Sequence, residues 1–540
     1  MSGDTEKVEL EKGKVEKMPA LHPETANLTY RKPSSYAALD PTEQPEDDDD
    51  DKLASPQTRA KDLTPFAPLD IPMKYRLVAL VTILFYTTGA AFAESTLGPL
   101  KSTFVKELHI NMSNRALQSH VHTLTPDAQF ASISTASNLV NTVLPLIGGT
   151  IMDYYGTHYA IAAGAASTNN YTLLIGGRIV MGLGSIVLEG AQSKLYAHWF
   201  NGRWLATVIA LDLAWGSATV VIARVSAVPM SHLGGWYGWA LWIPVFVIAA
   251  CTLLVIAYTI FEQKYLPKEF RPVTGYELEQ KRKAAGEHTH KDGMPSFYLI
   301  MAGAHIFQNS ARTVYSSNLT DIQERTRGTT ALTGGYYSAL LNVVVIVVVP
   351  LLGVFFDKVG WRMPFVSLGA ATYVVAFALI GLTKVNAVAP ILLASFALSL
   401  NVLPWISSFP ILVPDPTLIG TAYGLWSGFI ACNNVILEVS CGAIQDATPG
   451  QTYDRVIYVL IAIKSWQILE GPLFDFLDGK LLGHTLRMNE KQRLKYDAER
   501  EEAGVDAPGY RIKKPVTWVV GLQYVTMVII SWVLFFIYSM

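Results

Sequence analysis

Apolar residues along this chain gather in blocks of about 20 separated by short polar breaks, the length a helix needs to cross a bilayer. The blocks run over about 74–97 (span 1), 130–152 (span 2), 173–198 (span 4), 204–229 (span 5) and 238–261 (span 6). A polar stretch over 262–295 interrupts them. A second set follows at about 296–315, 332–356, 363–383, 388–413, 418–445 and 455–475 (spans 7 to 12), and a last block at 516–539 comes after a charged segment. All are expected to be helices, because a hydrocarbon interior leaves an open sheet edge without partners. Span 12 reads as weak because it holds Lys464 and Glu470. If it only lies on the membrane, the last block takes its place; otherwise that block is an extra C-terminal transmembrane helix.

Span 3 breaks the pattern. Only 16 residues separate Gly156 from Leu173, and Ser167–Thr172 is polar. The roughly 10–12 apolar residues left reach about 18 Å at 1.5 Å each, against a hydrocarbon core of about 30 Å. The simplest expectation is that about a dozen residues are missing here through splicing or gene assignment; a tilted half-helix in locally thinned bilayer is the alternative.

Residues 1–72 are polar and proline-containing, with an acidic run from Glu46 to Asp51, and cannot bury enough apolar surface to offset ordering. They read as a disordered cytosolic tail. The domain plan is then an N-terminal bundle over 73–261, a cytosolic linker over 262–295, a C-terminal bundle over 296–476, a charged amphipathic or disordered connector over 477–515 and a final helix over 516–540. No cleavable leader is expected; span 1 serves as the insertion signal.

Composition narrows the function. Hydrophobic residues make up 51% and charged residues 16%, with a formal net charge of −2, so no basic field points to nucleic acid, and the lipid bilayer is the surrounding medium. The three cysteines, Cys251, Cys432 and Cys441, all fall inside apolar blocks and read as packing rather than a disulfide framework or metal site. His288-Thr289-His290 reads as a solvated loop, so no metal and no cofactor is expected.

Orientation follows from the basic residues, which favour the cytosolic side. Lys74 and Arg76 precede span 1, and the 262–295 segment carries Lys264, Lys268, Arg271, Lys281, Arg282, Lys283 and Lys291. Both belong in the cytosol, which needs an even number of crossings between them and therefore six spans in the first half. Asn111, Asn170 and Asn318 open N-x-S/T triplets in loops this topology places on the outer or luminal side, so they are candidate glycosylation sites; Asn27, in the cytosolic tail, should be silent.

An internal repeat carries the functional signal. Span 2 ends Gly148-Gly149-Thr150-Ile151-Met152-Asp153-Tyr154-Tyr155-Gly156, and span 8 ends Gly353-Val354-Phe355-Phe356-Asp357-Lys358-Val359-Gly360-Trp361-Arg362. Each half thus sets an aspartate, then a glycine three residues later, at the cytosolic end of its second span. Glycines let helices approach closely. The aspartate can cap a helix N-terminus or pair with a base across the two bundles, latching the cytosolic side. The second copy holds Arg362; the first offers Thr157 and His158 in place of bases. In this the chain resembles the major facilitator superfamily, which implies two pseudo-symmetric six-helix bundles. Span 4 adds Arg178-Ile179-Val180-Met181-Gly182-Leu183-Gly184, similar to the superfamily's pattern, where the arginine is linked to coupling; Arg178 snorkelling at the luminal end is the plainer alternative.

Trp199-Phe200-Asn201-Gly202, Val413-Pro414, Gly420-Thr421-Ala422-Tyr423-Gly424, Gly442 and Asp446 are similar to the lysosomal dipeptide transporter group of that superfamily. The resemblance implies a dipeptide or amino-acid-like solute, a lysosomal or vacuolar membrane (the plasma membrane being the alternative) and a glycosylated accessory subunit on an otherwise monomeric carrier. The chain departs from the group in placing Ser217 where the group carries a helix 5 arginine, and Ile186 where it carries a helix 4 carboxylate, with Glu189 one turn on.

Ionisable side chains inside spans are costly and usually face a cavity or a partner. Glu94, Glu189, Asp212, Arg224, Arg312 and Glu438 are such residues. A zwitterionic solute needs a carboxylate for its amine and a guanidinium for its carboxylate; Glu189 with Asp212 are expected to supply the first, and Arg224 or Arg312 the second. Glu189 and Glu438 are also candidate proton carriers. Trp405, Tyr423, Asn433 and Asn434 are candidate pathway residues, with interhelical packing as the alternative role. The phosphate-binding G-x-x-x-x-G-K-[ST] loop of a transport ATPase is absent from the sequence, and no clustered acid–base motif suggests an enzyme. The expected function is secondary transport by alternating access between the bundles; the alternative is a non-transporting receptor or dead carrier of the same fold.

Overall fold

In a computed structural model, residues 72–100, 138–139, 141–144, 191–200, 204–235, 238–267, 270–271, 280, 293–305, 307–413, 418–503 and 508–539 are described. Span 3 and most of spans 2 and 4 therefore lie outside the described residues. So do Gly148, Gly149, Asp153, Gly156, Arg178, Glu189, Asn111 and Asn170. Every regular element among the described residues is helical, as a chain must be when lipid supplies no backbone partners.

In the first half, span 1 is α1 (Met73–Leu84) and α2 (Thr88–Ser95), span 5 is α3 (Leu205–Ser231) and span 6 is α4 (Trp239–Lys264). In the second half, span 7 is α5 (Ser296–Ala304) and α6 (Gln308–Arg327), and span 8 is α7 (Ala331–Leu340) and α8 (Val343–Lys358). α9 (Arg362–Leu382), α10 (Val388–Ile406) with the short α11 (Phe409–Leu412), α12 (Ile419–Asp446) and α13 (Asp454–Leu481) complete it. α14 (Glu490–Ala503) and α15 (Lys514–Ser539) follow. Nine stretches among the described residues are long and apolar enough to cross a membrane, Lys514–Ile537 included.

The structure bears on three of these expectations. Span 12 is a full 28-residue helix, because Lys464 and Glu470 are turned inward, 0% and 3% exposed, and the outer surface stays apolar with Trp466 and Leu469 exposed. Span 7 does not end near 315. It breaks at His305, where ψ is 53°, and at Phe307, in the left-handed region, then continues to Arg327. Asn318 accordingly sits in α6 rather than in a loop: its amide donates to the Val314 carbonyl at 3.0 Å and its side-chain oxygen accepts from the Tyr453 hydroxyl at 3.3 Å. A helical, half-buried amide with tertiary contacts is not a presented glycan acceptor. Within 477–515, α13 runs on to Leu481 and α14 is helical, in keeping with the amphipathic of the two readings.

α8 lies against α3, joining the halves. Val347 and Leu351, 64% and 67% exposed, mark the face of α8 turned outward toward lipid. At Gly353 a Cβ would lie 2.5 Å from the Ala210 Cβ and 2.9 Å from the Ala206 carbonyl oxygen, so only glycine permits this approach. α15 packs on α12 and α5 and reaches span 2, where the Trp532 indole donates to the Thr142 hydroxyl at 2.9 Å and the Tyr524 hydroxyl to the Thr142 carbonyl.

Candidate solute site and its gates

A cavity of about 490 Å³ lies between the halves. Its first-half wall includes Glu94 of α2 and Asp212 of α3; its second-half wall includes His305, Asn309 and Arg312 at the span 7 break and its first following turn, with Trp405 of α10 and Trp426 of α12. Asp212 is held by two neutral donors from span 4, the Gln192 amide at 2.6 Å and the Tyr196 hydroxyl at 3.0 Å. Arg312 is steadied by Asn309, which accepts from Nε at 3.1 Å. One wall is thus acidic and the other basic, across the cavity.

The basic wall is also aromatic. The His305 ring lies 4.1 Å from the Trp405 ring and stacks on Trp426 at 5.0 Å and 19°, while the two tryptophans stack at 5.5 Å. The Trp405 indole Nε1 is buried with no hydrogen-bond partner among the described residues, a donor that a bound solute would satisfy. Behind the wall, His305 Nδ1 is 3.1 Å from Glu470 Oε2.

Of the residues the sequence nominates for the solute, Asp212, Arg312 and Trp405 line the cavity, whereas Arg224, Asn434 and Glu438 do not. Arg224 of α3 instead reaches across the seam, donating to the Ser338 carbonyl at 2.8 Å and to the Ser316 hydroxyl at 2.7 Å. Asn434 and Glu438 are buried in α12. Sequence reasoning missed His305, Trp426 and Gln192. A histidine inside an apolar block was signal enough for the first; nothing local marks the others.

The opposite end of the seam, cytosolic on the orientation read from the basic residues, is built around the start of α3. The first N–H groups of a helix lack partners and carry its positive end. Asp357 at the end of α8 supplies them: Oδ1 accepts from Ala206 N at 3.1 Å, and Oδ2 from Thr207 N at 2.8 Å and its hydroxyl at 2.6 Å. Glu490 at the start of α14 accepts from Trp204 N at 3.0 Å. Burial pushes the Glu490 carboxyl above its ordinary range, with the Trp204 N–H pulling it back.

Gly360 and Arg362 of the repeat have a different task from pairing across the bundles. Gly360 has φ +88°, and a Cβ there would meet the carbonyl oxygens of Arg487 and Met488. The Arg362 guanidinium donates to the carbonyls of Leu486 and Met488 at 3.4 and 3.2 Å. Together they seat the segment that leads into α14, and Arg487 in turn forms a bidentate pair with Asp475.

Two helical halves joined along α3 and α8, with a charged cavity between them and polar ties at either end of the seam, define a polytopic membrane carrier of the two-bundle class. The model for the Major Facilitator Superfamily matches residues 83–432, and the chain belongs to that family. Among curated proteins it is 22% identical to the lysosomal dipeptide transporter MFSD1 of Danio rerio, over 71% of this chain and 84% of that one. Among solved structures it is similar to the proton:xylose symporter XylE bound to 6-bromo-6-deoxy-D-glucose, with TM-score 0.52 and 14% identity over 73% of this chain and 93% of that one. It is also similar to the human organic anion transporter MFSD10 (TETRAN), with TM-score 0.51 and 15% identity over 73% and 98%. These structures share the fold.

Proposed function

We propose that this chain moves a zwitterionic, dipeptide- or amino-acid-like solute across a lysosomal or vacuolar membrane by alternating access. The observation that carries the solute class is the division of charge in the cavity, with Glu94 and Asp212 on one bundle and Arg312 and His305 on the other. A solute with an amine and a carboxylate spans that division and draws the bundles together, and the ring stack of Trp405 and Trp426 offers an apolar surface for its side chain. The relative from Danio rerio, a lysosomal dipeptide transporter by name, supports both the solute class and the membrane.

The test is uptake of radiolabelled alanyl-leucine into liposomes holding the purified full chain. Saturable uptake is expected, with competition by unlabelled alanyl-leucine and none by its N-acetylated, C-amidated form. Asp212→Asn and Arg312→Gln should each reduce it at least about tenfold, the scale of one lost charge-assisted contact. Binding without flux would instead identify a receptor, and unchanged uptake in both variants would remove the site assignment.

A further inference from the structure

α15 meets both halves, and the groups it turns toward them are polar. Its outward face is apolar, with Trp518, Val519, Leu522 and Val525 all more than half exposed, toward lipid. Gln523 and Tyr524 fall between these positions and turn inward. A helix kept only as an anchor has no use for them there, because polar side chains inside a membrane are costly and usually meet a partner. Each finds a backbone carbonyl where a cavity-lining span departs from regular helix.

One carbonyl belongs to the second half. Gly303 is in the last turn of α5, just before span 7 breaks, and the final carbonyls of a helix lack partners along their own chain. The Gln523 amide donates to it at 2.8 Å, and a Cβ on Gly303 would stand 3.0 Å from the Gln523 side-chain oxygen. The other carbonyl belongs to the first half. Span 2 leaves regular helix at Thr142 and Val143. The Thr142 carbonyl accepts from the Tyr524 hydroxyl, which passes α12 at Gly428, where a Cβ would take its place. The Trp532 indole adds its bond to the Thr142 hydroxyl at 2.9 Å. Irregular backbone at membrane depth is tolerated where protein covers it, and here α15 is the cover. Farther along, Phe535 packs with Leu139 of span 2 and with Val435 and Val439 of α12. On the orientation read from the basic residues, these four lie toward the luminal ends of their spans.

We propose that α15 is a strap: it travels with the second half, holds span 2 against α12 and opposes opening of the seam on the luminal side. α15 packs on both α12 and α5, whereas its hydrogen bonds to the first half, among the described residues, converge on Thr142. The hold on the second half is broad and that on the first is narrow, so the narrow one gives way when the halves part. Luminal separation takes Leu139 away from Val435 and Val439, and Thr142 away from Tyr524 and Trp532. That strips a buried hydroxyl and a buried carbonyl of their partners in one movement, and unmade bonds of buried groups are costly. The strap therefore stabilises the luminally closed state from outside the cavity, since Thr142, Gln523, Tyr524 and Trp532 do not line it.

Distances between paired spin labels, measured on the purified full chain in nanodiscs with no solute present, test this. Labels at Leu233→Cys, just past α3, and at Lys384→Cys, between α9 and α10, sit at exposed positions on the luminal ends of the two halves, and the native cysteines are buried. Trp532→Phe, Tyr524→Phe and Thr142→Val should each raise the ratio of long-distance to short-distance populations about two- to tenfold, the scale of one hydrogen bond. Trp532→Phe and Thr142→Val together should do little more than either alone, because they remove the same bond. Thr526→Val is the control, since that hydroxyl bonds to Leu522 of its own helix, and it should leave the distances unchanged. Populations unmoved by all three variants overturn the strap, as does an equal rise with Thr526→Val. A double variant whose effect is the full product of the singles overturns it too, because the shared bond is then not what is released. Failure of dipeptide uptake would remove the transport reading and leave the outcome of these distances standing.

Discussion

The carboxylate of Asp357, at the end of α8, accepts both the backbone N–H and the hydroxyl of Thr207, in the first turn of α3 and 150 positions earlier. One aspartate thereby ties the second half to the positive end of a helix in the first. Carboxylates so placed contribute about 1–2 kcal/mol, which is about a 5–30-fold shift between closed and open populations. Asp357→Asn keeps the size but loses the charge. Labelling of an Ile209→Cys reporter, which lines the cavity, should quicken by about that factor from the cytosolic side. An unchanged rate would mean that the tie does not hold the gate.

Arg224 makes the mirror-image prediction. Its bonds to Ser338 and Ser316 close the same seam toward the other end of α3, luminal on the proposed orientation. Hydrogen bonds from a charged donor contribute about 1.5–3 kcal/mol. Arg224→Gln should therefore raise luminal labelling of a Val220→Cys reporter by about tenfold or more and lower cytosolic labelling of the Ile209→Cys reporter. A rise on both sides would indicate general loosening rather than a gate.

The sequence made some of this legible and concealed the rest for physical reasons. Gly353 and Asp357 lie in one short run, so a local pattern could announce a close approach followed by a cap. The capped partner, Thr207, could not be named, because nothing local links positions that meet only after folding. The same holds for His305 and Glu470, 165 positions apart. Hydropathy also misjudges buried polarity. It counts Lys464 and Glu470 as reasons to leave the membrane, although both point inward, and it reads the polar face of α6 as a loop when that face is packed against neighbouring helices.

Glycine supplies a prediction with its own control. A Cβ at Gly353 would stand 2.5 Å from the Ala210 Cβ, whereas at Gly521 of α15 it would meet nothing within 4 Å. Gly353→Ala should lower the melting temperature of the purified protein by the equivalent of about 1–3 kcal/mol, the usual scale of overpacking. Gly521→Ala should leave it unchanged or raise it, because alanine is about 1 kcal/mol better than glycine inside a helix. Equal effects at the two positions would show that the α3–α8 contact is looser than the structure has it.

Glu490 ties α14 to the first half, and its behaviour with pH has a definite sign. In the docked arrangement burial raises its carboxyl above the ordinary glutamate value of about 4.3, and the opposing pull of the Trp204 N–H does not cancel this. The docked state therefore holds the proton more tightly than the undocked one. Docking is strongest at pH below the ordinary value and weakens as pH rises through the raised one. The native cysteines are buried, so spin labels at Lys495→Cys and Lys264→Cys can report the separation of α14 from the end of α4. The short-distance population should grow as pH falls from about 8 toward about 5. Glu490→Gln, which imitates the protonated form, should keep that population and flatten its pH dependence, while Glu490→Ala should lose it at every pH. A dependence of the opposite sign would mean that the ionised carboxylate, acting as a cap on α3, is the form that docks.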